Sequence, residues 1–335
     1  MTMLRQARRE GRKFLNPVPT TIGGFGTLFK VLPRFLSNKE EKSPRRPVGP
    51  FTTDVAAYGV APESGLRVTW MGHSSMLVEI DGVRVLVDPV WDQRASPMTW
   101  AGPKRFFAAP MNLEDLPPVD VVLVSHDHYD HLGETTIRQL SRLESMSGVR
   151  WVTSLGVGEI LRGYGVKPER ISELDWTQSV TVRELEITAV PSRHFSGRSM
   201  FNRFETLWSA FVLKTSKHKI YFGADTGWWE GFAEIGVKYG PFDLVMLEIG
   251  AFDALWNGIH LGPDGAARAF EALGGSGLMM PIHWGLFDLA LHAWRQPIQR
   301  LLEVAEEKGI KIWAPEPGRP TEVVMGTEVR SDWWR

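Results

Sequence analysis

The chain has 335 residues, 43% of them hydrophobic, no cysteine and a formal net charge of −1. Disulfides and thiolate metal ligands are therefore excluded, and the balanced charge argues against a chain built as a whole to bind nucleic acid. The charge is uneven: residues 1–50 hold eleven Lys/Arg against three Glu, and residues 51–335 hold 27 against 36. This reads as a basic N-terminal arm and linker over 1–50, followed by one large acidic domain over 51–335.

The arm opens "MTMLRQARREGRKF", basic enough for a signal peptide. The following "TTIGGFGTLFK" is short, broken by glycines and without a small-residue cleavage site, so no leader is expected. No run of 18 apolar residues occurs anywhere, so no membrane span is expected. With no cysteine to protect, the chain suits a reducing compartment and reads as cytoplasmic. Phe25, Leu28, Phe29 and Leu32 recur at helical spacing beside Lys30 and Arg34, the pattern of a segment lying in a membrane interface. Gly23, Gly24, Gly26 and Pro33 oppose a stable helix, and the competing reading is an arm packed on its own body or on a second copy in a homodimer. Residues 1–36 are thus the expected place of peripheral membrane contact, on the inner face. Residues 37–50, "SNKEEKSPRRPVGP", read as a linker.

Beyond the linker, "LRVTWMG", "SMLVEI" and "VRVLVDP" read as strands with tight turns, Asp81-Gly82 making the last. "VDVVLVS" (119–125) is a continuous apolar run, as expected of a strand buried on both faces. A helix follows from about Thr135 to Leu143. Strands are expected at 150–153, 184–190, 208–214 and 218–223, then a helix at 229–238 and the strand "DLVMLEIG". Asp264 to Leu273 reads as a helix, "GLMMPIH" as a strand and 297–308 as a helix before "IKIWAP". Two similar halves of strands with interspersed helices suit two packed sheets with helices outside, an α/β class.

The chemistry is concentrated in "VLVSHDHYDHLG" (122–133), where His126, Asp127, His128, Asp130 and His131 fall within six residues. In an extended segment i and i+2 point the same way, so His126 and His128 can grip one ion, with Asp130 and His131 facing a second just past them. A solvated polar loop is the bland alternative. Further ligands at other strand ends are His194 in "LEITAVPSRHFSG", Asp225 in "KIYFGADTGWW" and His283 in "GLMMPIHWG". Neutral nitrogen and carboxylate oxygen donors suit Zn²⁺, and also Mn²⁺ or Fe²⁺.

These residues in this order resemble the metallo-β-lactamase superfamily, whose H-x-H-x-D-H pattern is matched by "HDHYDH". More narrowly, the chain is similar to the N-acylphosphatidylethanolamine-hydrolysing phospholipase D branch and its bacterial relatives. The stretches that carry the likeness are "GRKFLNPVPT", "GLRVTWMGHSS", "DPVWDQRASP", "GPKRF", "LPPVDVVLVSHDHYDHL", "FGADTGWW", "GPFDLVMLEIGAF" and "PIHWGLFDLA". The resemblance implies an αββα sandwich of two mixed sheets flanked by helices, and a dinuclear zinc site. His126, His128 and His194 would hold one zinc, Asp130, His131 and His283 the other, and Asp225 would bridge them. It also implies an active-site histidine outside the primary metal shell, His260 in "WNGIHLGPDG", acting with Asp130 in catalysis. A helix-entry histidine before Pro263 and Asp264 is the plainer reading of His260.

His73 is expected to support the site or the core, and Asp88 either to orient site groups or merely to form a turn. Trp208, Trp228, Trp229, Trp256 and Trp284 are candidates for an acyl-chain pocket or for plain core. His218 and His292 read as surface or packing residues. Where mammalian-type enzymes have a proline before "IGA" this chain has Glu248, and their loop arginine corresponds to Leu255; both changes are expected near the substrate rim. The implied activity is a phospholipase D-type zinc phosphodiesterase acting on N-acylphosphatidylethanolamine or a related lipid diester. A sugar-phosphate lactonase or another metal-dependent hydrolase on this scaffold is the first alternative. A non-catalytic membrane-binding module with structural metals is the second. Nucleic acid is not an expected partner.

Overall fold

The computed structural model describes residues 4–22, 33–34, 40–199, 201–256 and 258–335. A short hairpin, β1 (Arg9–Glu10) with β2 (Lys13–Phe14), precedes the body. The first large sheet is built from β3 (Leu66–Gly72), β4 (Ser75–Ile80), β5 (Val83–Val87), β6 (Val121–Val124), β7 (Arg150–Ser154) and β8 (Ile171–Leu174). Its neighbours run β3-β4-β5-β6-β7-β8, with a C-terminal strand, Thr321–Glu322, added beside β3. The meander β3-β4-β5 is antiparallel and β5 through β8 is parallel. Asp81 and Gly82, at φ 48° and 84°, make the tight β4–β5 turn, where two consecutive left-handed residues match the twist of the strands.

The second sheet holds β9 (Ser179–Val182), β10 (Leu185–Val190), β11 (Ala210–Lys214), β12 (Lys219–Phe222), β13 (Leu244–Glu248) and β14 (Leu278–Ile282). It repeats the plan of the first: an antiparallel meander from β9 to β12, then parallel pairing of β12, β13 and β14.

Alternation along the strands explains the layering. In β4, Met76, Val78 and Ile80 enter the core shared with the second sheet, whereas Leu77 faces outward. In β6, Val121 and Leu123 enter the shared core, and Val122 and Val124 pack under α1 (Glu134–Leu140) and α2 (Val157–Gly163). The expectation that this strand is buried on both faces therefore holds. On the far side, α3 (Gly231–Tyr239), α4 (Gly262–Ala272) and α5 (Gln296–Lys308) bury Phe232, Ile235, Ala266, Phe270, Ile298 and Leu301 in the main core. The order is helix, sheet, sheet, helix, the αββα sandwich expected. Among the described residues no helix is long and apolar enough to cross a membrane.

Residues 4–22 lie on this body. Leu4 and Phe14 are buried, the Phe14 N–H donates to the Phe204 carbonyl, and the Ala7 N–H donates to Asp175. The apolar series Phe25, Leu28, Phe29 and Leu32 lies outside the described residues. Arg34 is described, and its guanidinium forks onto both oxygens of Asp253 at 2.9 and 2.8 Å.

Candidate active site

Parallel strands deliver the site residues because their C-terminal ends lie together at one edge of each sheet. In the first sheet Asp88 follows β5 and the His126–His131 stretch follows β6; His73 sits in the β3–β4 turn. In the second sheet His194 follows β10, Asp225 follows β12, Glu248 ends β13 and His283 follows β14. His260 lies in the loop entering α4. The Asp225 and His260 loops touch at Gly227, where an added Cβ would lie 2.0 Å from the Gly258 carbonyl oxygen, so only glycine fits.

The structure brings together all eight site residues expected from the sequence. One group is His126, His128, His194 and Asp225; a second is Asp130, His131 and His283 with His73. Asp225 reaches both. Its Oδ2 lies 3.1 Å from His283 Nε2, 3.5 Å from His194 Nε2 and 3.9 Å from His126 Nε2, and its Oδ1 lies 3.1 Å from His131 Nε2. Asp130 Oδ2 lies 2.9 Å from His73 Nε2 and 3.2 Å from His283 Nε2. His73 therefore holds Asp130 and belongs to the cluster.

A layer of partners aims these rings. Buried Asp88 accepts the Ser125 N–H at 2.7 Å, the Ser125 hydroxyl at 2.6 Å and His131 Nδ1–H at 2.7 Å. The Ser125 hydroxyl in turn lies 2.9 Å from His126 Nδ1. Of the two roles read for Asp88, it is the orienting one that the contacts support. His194 donates Nδ1–H to the Ile259 carbonyl at 2.9 Å. Its backbone is clamped by Asn16, whose amide donates to the His194 carbonyl at 2.7 Å and accepts the His194 N–H at 3.0 Å. Asp127 faces away from the rings and ties down the next loop, accepting the Gly197 N–H at 2.7 Å and the Thr206 hydroxyl at 3.0 Å.

The arrangement fits cations better than protons. With Nδ1–H donated outward, neutral His131 and His194 turn Nε2 lone pairs inward. His126 Nε2 and His194 Nε2 meet His128 Nδ1 at 2.9 and 3.3 Å, so three imidazole nitrogens crowd one point. His131 Nε2 and Asp225 Oδ1 are buried without a hydrogen-bond partner. With protein groups alone, burial pushes His126 and His194 well below the usual histidine value and His73 down to about 3. Burial also opposes charge on His131, yet Asp225 and Asp130 hold it well above its ordinary value; the same balance holds His283 at about 10. For Asp130 and Asp225 burial is outweighed by the histidines, His131 foremost, and both stay well below the usual carboxylate range. Buried, anionic oxygen and nitrogen donors of this kind are divalent-cation ligands.

A cavity of about 300 Å³ opens onto the cluster. His128, Asp130, His194, Asp225, His260 and His283 form its polar floor, and Ile22, Phe195, Ala251, Trp256, Ile259 and Leu289 form apolar wall. Of the five tryptophans singled out, Trp256 alone lines this cavity; Trp208, Trp229 and Trp284 are core, and Trp228 lies under the Arg268 guanidinium. Glu248 requires a correction. It is not at the rim but fully buried, with Oε2 2.6 Å from His260 Nδ1. His218 pairs with Asp81, and His292 stacks on Phe252. Asn16 and Ile22 were not read as site residues, although Asn16 sits inside the matched stretch "GRKFLNPVPT".

Sandwich and cluster together define a metal-dependent hydrolase of the metallo-β-lactamase fold. The model of the Beta-lactamase superfamily domain matches residues 83–284. An uncharacterized protein of Mycobacterium tuberculosis is 46% identical over 274 residues, 81% of this chain and 72% of that one. N-acyl-phosphatidylethanolamine-hydrolyzing phospholipase D 1 of Caenorhabditis elegans is 32% identical over 323 residues, 89% of each chain. Among solved structures, a metallo hydrolase from the archaeon Ignicoccus hospitalis shares the fold at a TM-score of 0.58 and 21% identity, covering 76% of this chain and 97% of that one. The chain belongs to the metallo-β-lactamase superfamily, in the branch that includes the N-acyl-phosphatidylethanolamine-hydrolysing phospholipases D.

Proposed function

We propose that the chain is a dinuclear-zinc phosphodiesterase of phospholipase D type. It cleaves N-acylphosphatidylethanolamine or a related lipid diester to phosphatidate and an N-acylethanolamine. One observation carries the reading: an apolar-walled cavity ends on a floor of converging imidazoles and carboxylates. The wall suits an acyl chain, and the relative named as a phospholipase D extends over 89% of the chain. His126, His128 and His194 would hold one cation, Asp130, His131 and His283 the other, and Asp225 would join both. Two such cations supply Lewis acidity, lowering the pKa of water and neutralising charge on a phosphoryl oxygen.

The chain's own groups do the rest. Asp88 and Ser125 fix the His131 and His126 rings, and His73 fixes Asp130. His260 lines the cavity with its Nδ1 engaged by Glu248. Its Nε2, unprotonated when Nδ1–H is given to Glu248, takes a proton from the attacking water and passes it to the leaving oxygen.

Asn16 should matter through His194. Asn16→Ala removes both bonds to the His194 backbone, and it is expected to weaken metal retention about tenfold, the scale of an outer-layer partner. Competition with a chromogenic chelator measures this; unchanged retention would show that the clamp is dispensable.

Metal uptake should depend on pH. Asp130 and Asp225 keep protons on His131 and His283, and a cation must displace those protons to use Nε2. Affinity is therefore expected to fall steadily as pH drops below about 10, where His283 takes up its proton, with proton release on binding. Titration calorimetry in buffers of different ionisation enthalpy reads the protons directly; uptake with no proton release would contradict the assignment of these two ligands.

Mass spectrometry of products tests the function. Zinc-loaded protein incubated with liposomes containing N-acylphosphatidylethanolamine should release N-acylethanolamine and phosphatidate. Turnover of a lactone or a soluble diester with no action on the lipid would overturn the substrate assignment.

A further inference from the structure

Glu248 ends β13 in a run of apolar residues, Leu244 to Leu247, and its register partner on β14 is Ile282. Strand packing alone would favour an apolar side chain here, since a buried carboxylate is costly unless fully hydrogen-bonded. This one is fully buried and well supplied with donors. Its Oε1 accepts the N–H of Thr226 at 2.8 Å and of Leu261 at 3.2 Å, and its Oε2 accepts His260 Nδ1–H at 2.6 Å. Thr226 is the neighbour of Asp225, and Leu261 the neighbour of His260. A single carboxylate thus joins the end of β13 to the two loops that carry the central aspartate and the cavity histidine. His283 Nδ1 lies further off, 3.8 Å from Oε2.

We propose that Glu248 is the positioning residue for His260. A neutral imidazole carries one proton on either nitrogen, and the second partner decides which. By accepting Nδ1–H, Glu248 selects one tautomer and one ring orientation, leaving Nε2 as the edge that meets the cavity. This is the role of the carboxylate in a carboxylate–histidine pair. The inference rests on the reading above that His260 acts on substrate. The group Asp225, Glu248, His260 and His283 also lies close enough to hold a cation, so Glu248 as a metal ligand is the rival role.

The test is a double-mutant cycle on full-length, zinc-loaded protein with a soluble chromogenic phosphodiester, metal content being measured on every sample. Glu248→Gln is expected to keep the metal content of the wild type. It should lower kcat on the order of 10²-fold with KM nearly unchanged. In the His260→Ala background the same change is expected to add nothing, because its target is gone. Multiplicative losses in the double variant, loss of a metal ion in Glu248→Gln, or full activity of Glu248→Gln beside a slow His260→Ala would each overturn the role. A fully active His260→Ala would instead overturn the prior reading of His260, and this proposal with it. If Glu248→Gln does not fold, the wild-type protein still decides. Nitrogen-15 NMR of the zinc-loaded protein should show neutral His260 protonated at Nδ1; the Nε2–H tautomer would contradict the proposal.

Discussion

Asp225→Asn should abolish hydrolysis and strip metal from the protein. Both oxygens of this carboxylate face histidines of the two groups, from 3.1 Å at His131 and His283 to 3.9 Å at His126. The amide keeps the shape but loses the charge and turns one acceptor into a donor pointed at imidazole nitrogens. Cations held by the neighbouring ligands would lose the one anion they share. Metal-ion charge stabilisation is worth several kcal/mol, so kcat/KM is expected to fall by about 10³-fold or more. Elemental analysis and a phosphodiester assay on the same sample check both losses. Normal metal content with normal turnover would remove Asp225 from the centre of the site.

His260→Ala should separate chemistry from metal binding. The ring lines the cavity and stands beside His283 and His194, with centroids 5.3 and 5.1 Å away. Its Nδ1 is committed to Glu248. Removing it leaves the seven expected ligands in place, so metal content should be unchanged while kcat/KM falls by about 10²-fold. Loss of an ion would make His260 a ligand. Unaltered turnover would return it to the plainer role of a helix-entry residue before Pro263.

The legible parts of this site are those written at short range. His126, His128, Asp130 and His131 are separated by one or two residues, and the strand before them announces where they stand. Asp88, His194, Asp225 and His283 each follow a strand, so their positions emerge once the strands are recognised. What the sequence hid is contact between distant segments. Asn16 reaches His194 across 178 residues, and nothing local marks an asparagine before a proline as a clamp. Glu248 ends an apolar strand and reads as a residue of the substrate rim, yet its carboxylate turns inward to His260.

The fold shows the same divide. Strands β3 to β6 and β10 to β14 are mostly apolar and largely buried, and are readable as such. Helix α2 is hidden because Gly158 and Gly163 fall within its seven residues and Gly156 and Gly165 flank it, and glycine is a poor helix former. It is held by packing, since Val157 and Leu161 are buried and the helix lies against β7 and β8. Strand β9, with alternate residues exposed, and β8 are four residues each. Such half-exposed, mixed-polarity pieces gain their identity from their neighbours in the sheet, not from their own pattern.

The number of metal ions bound per chain decides whether the site holds a cation pair. Native mass spectrometry of protein purified without chelator and supplemented with zinc should show a mass increase of two ions per chain, and Asp225→Asn should show fewer. A wild-type chain that reproducibly carries none, or no more than one, after supplementation would contradict a two-cation site and the hydrolytic mechanism built on it.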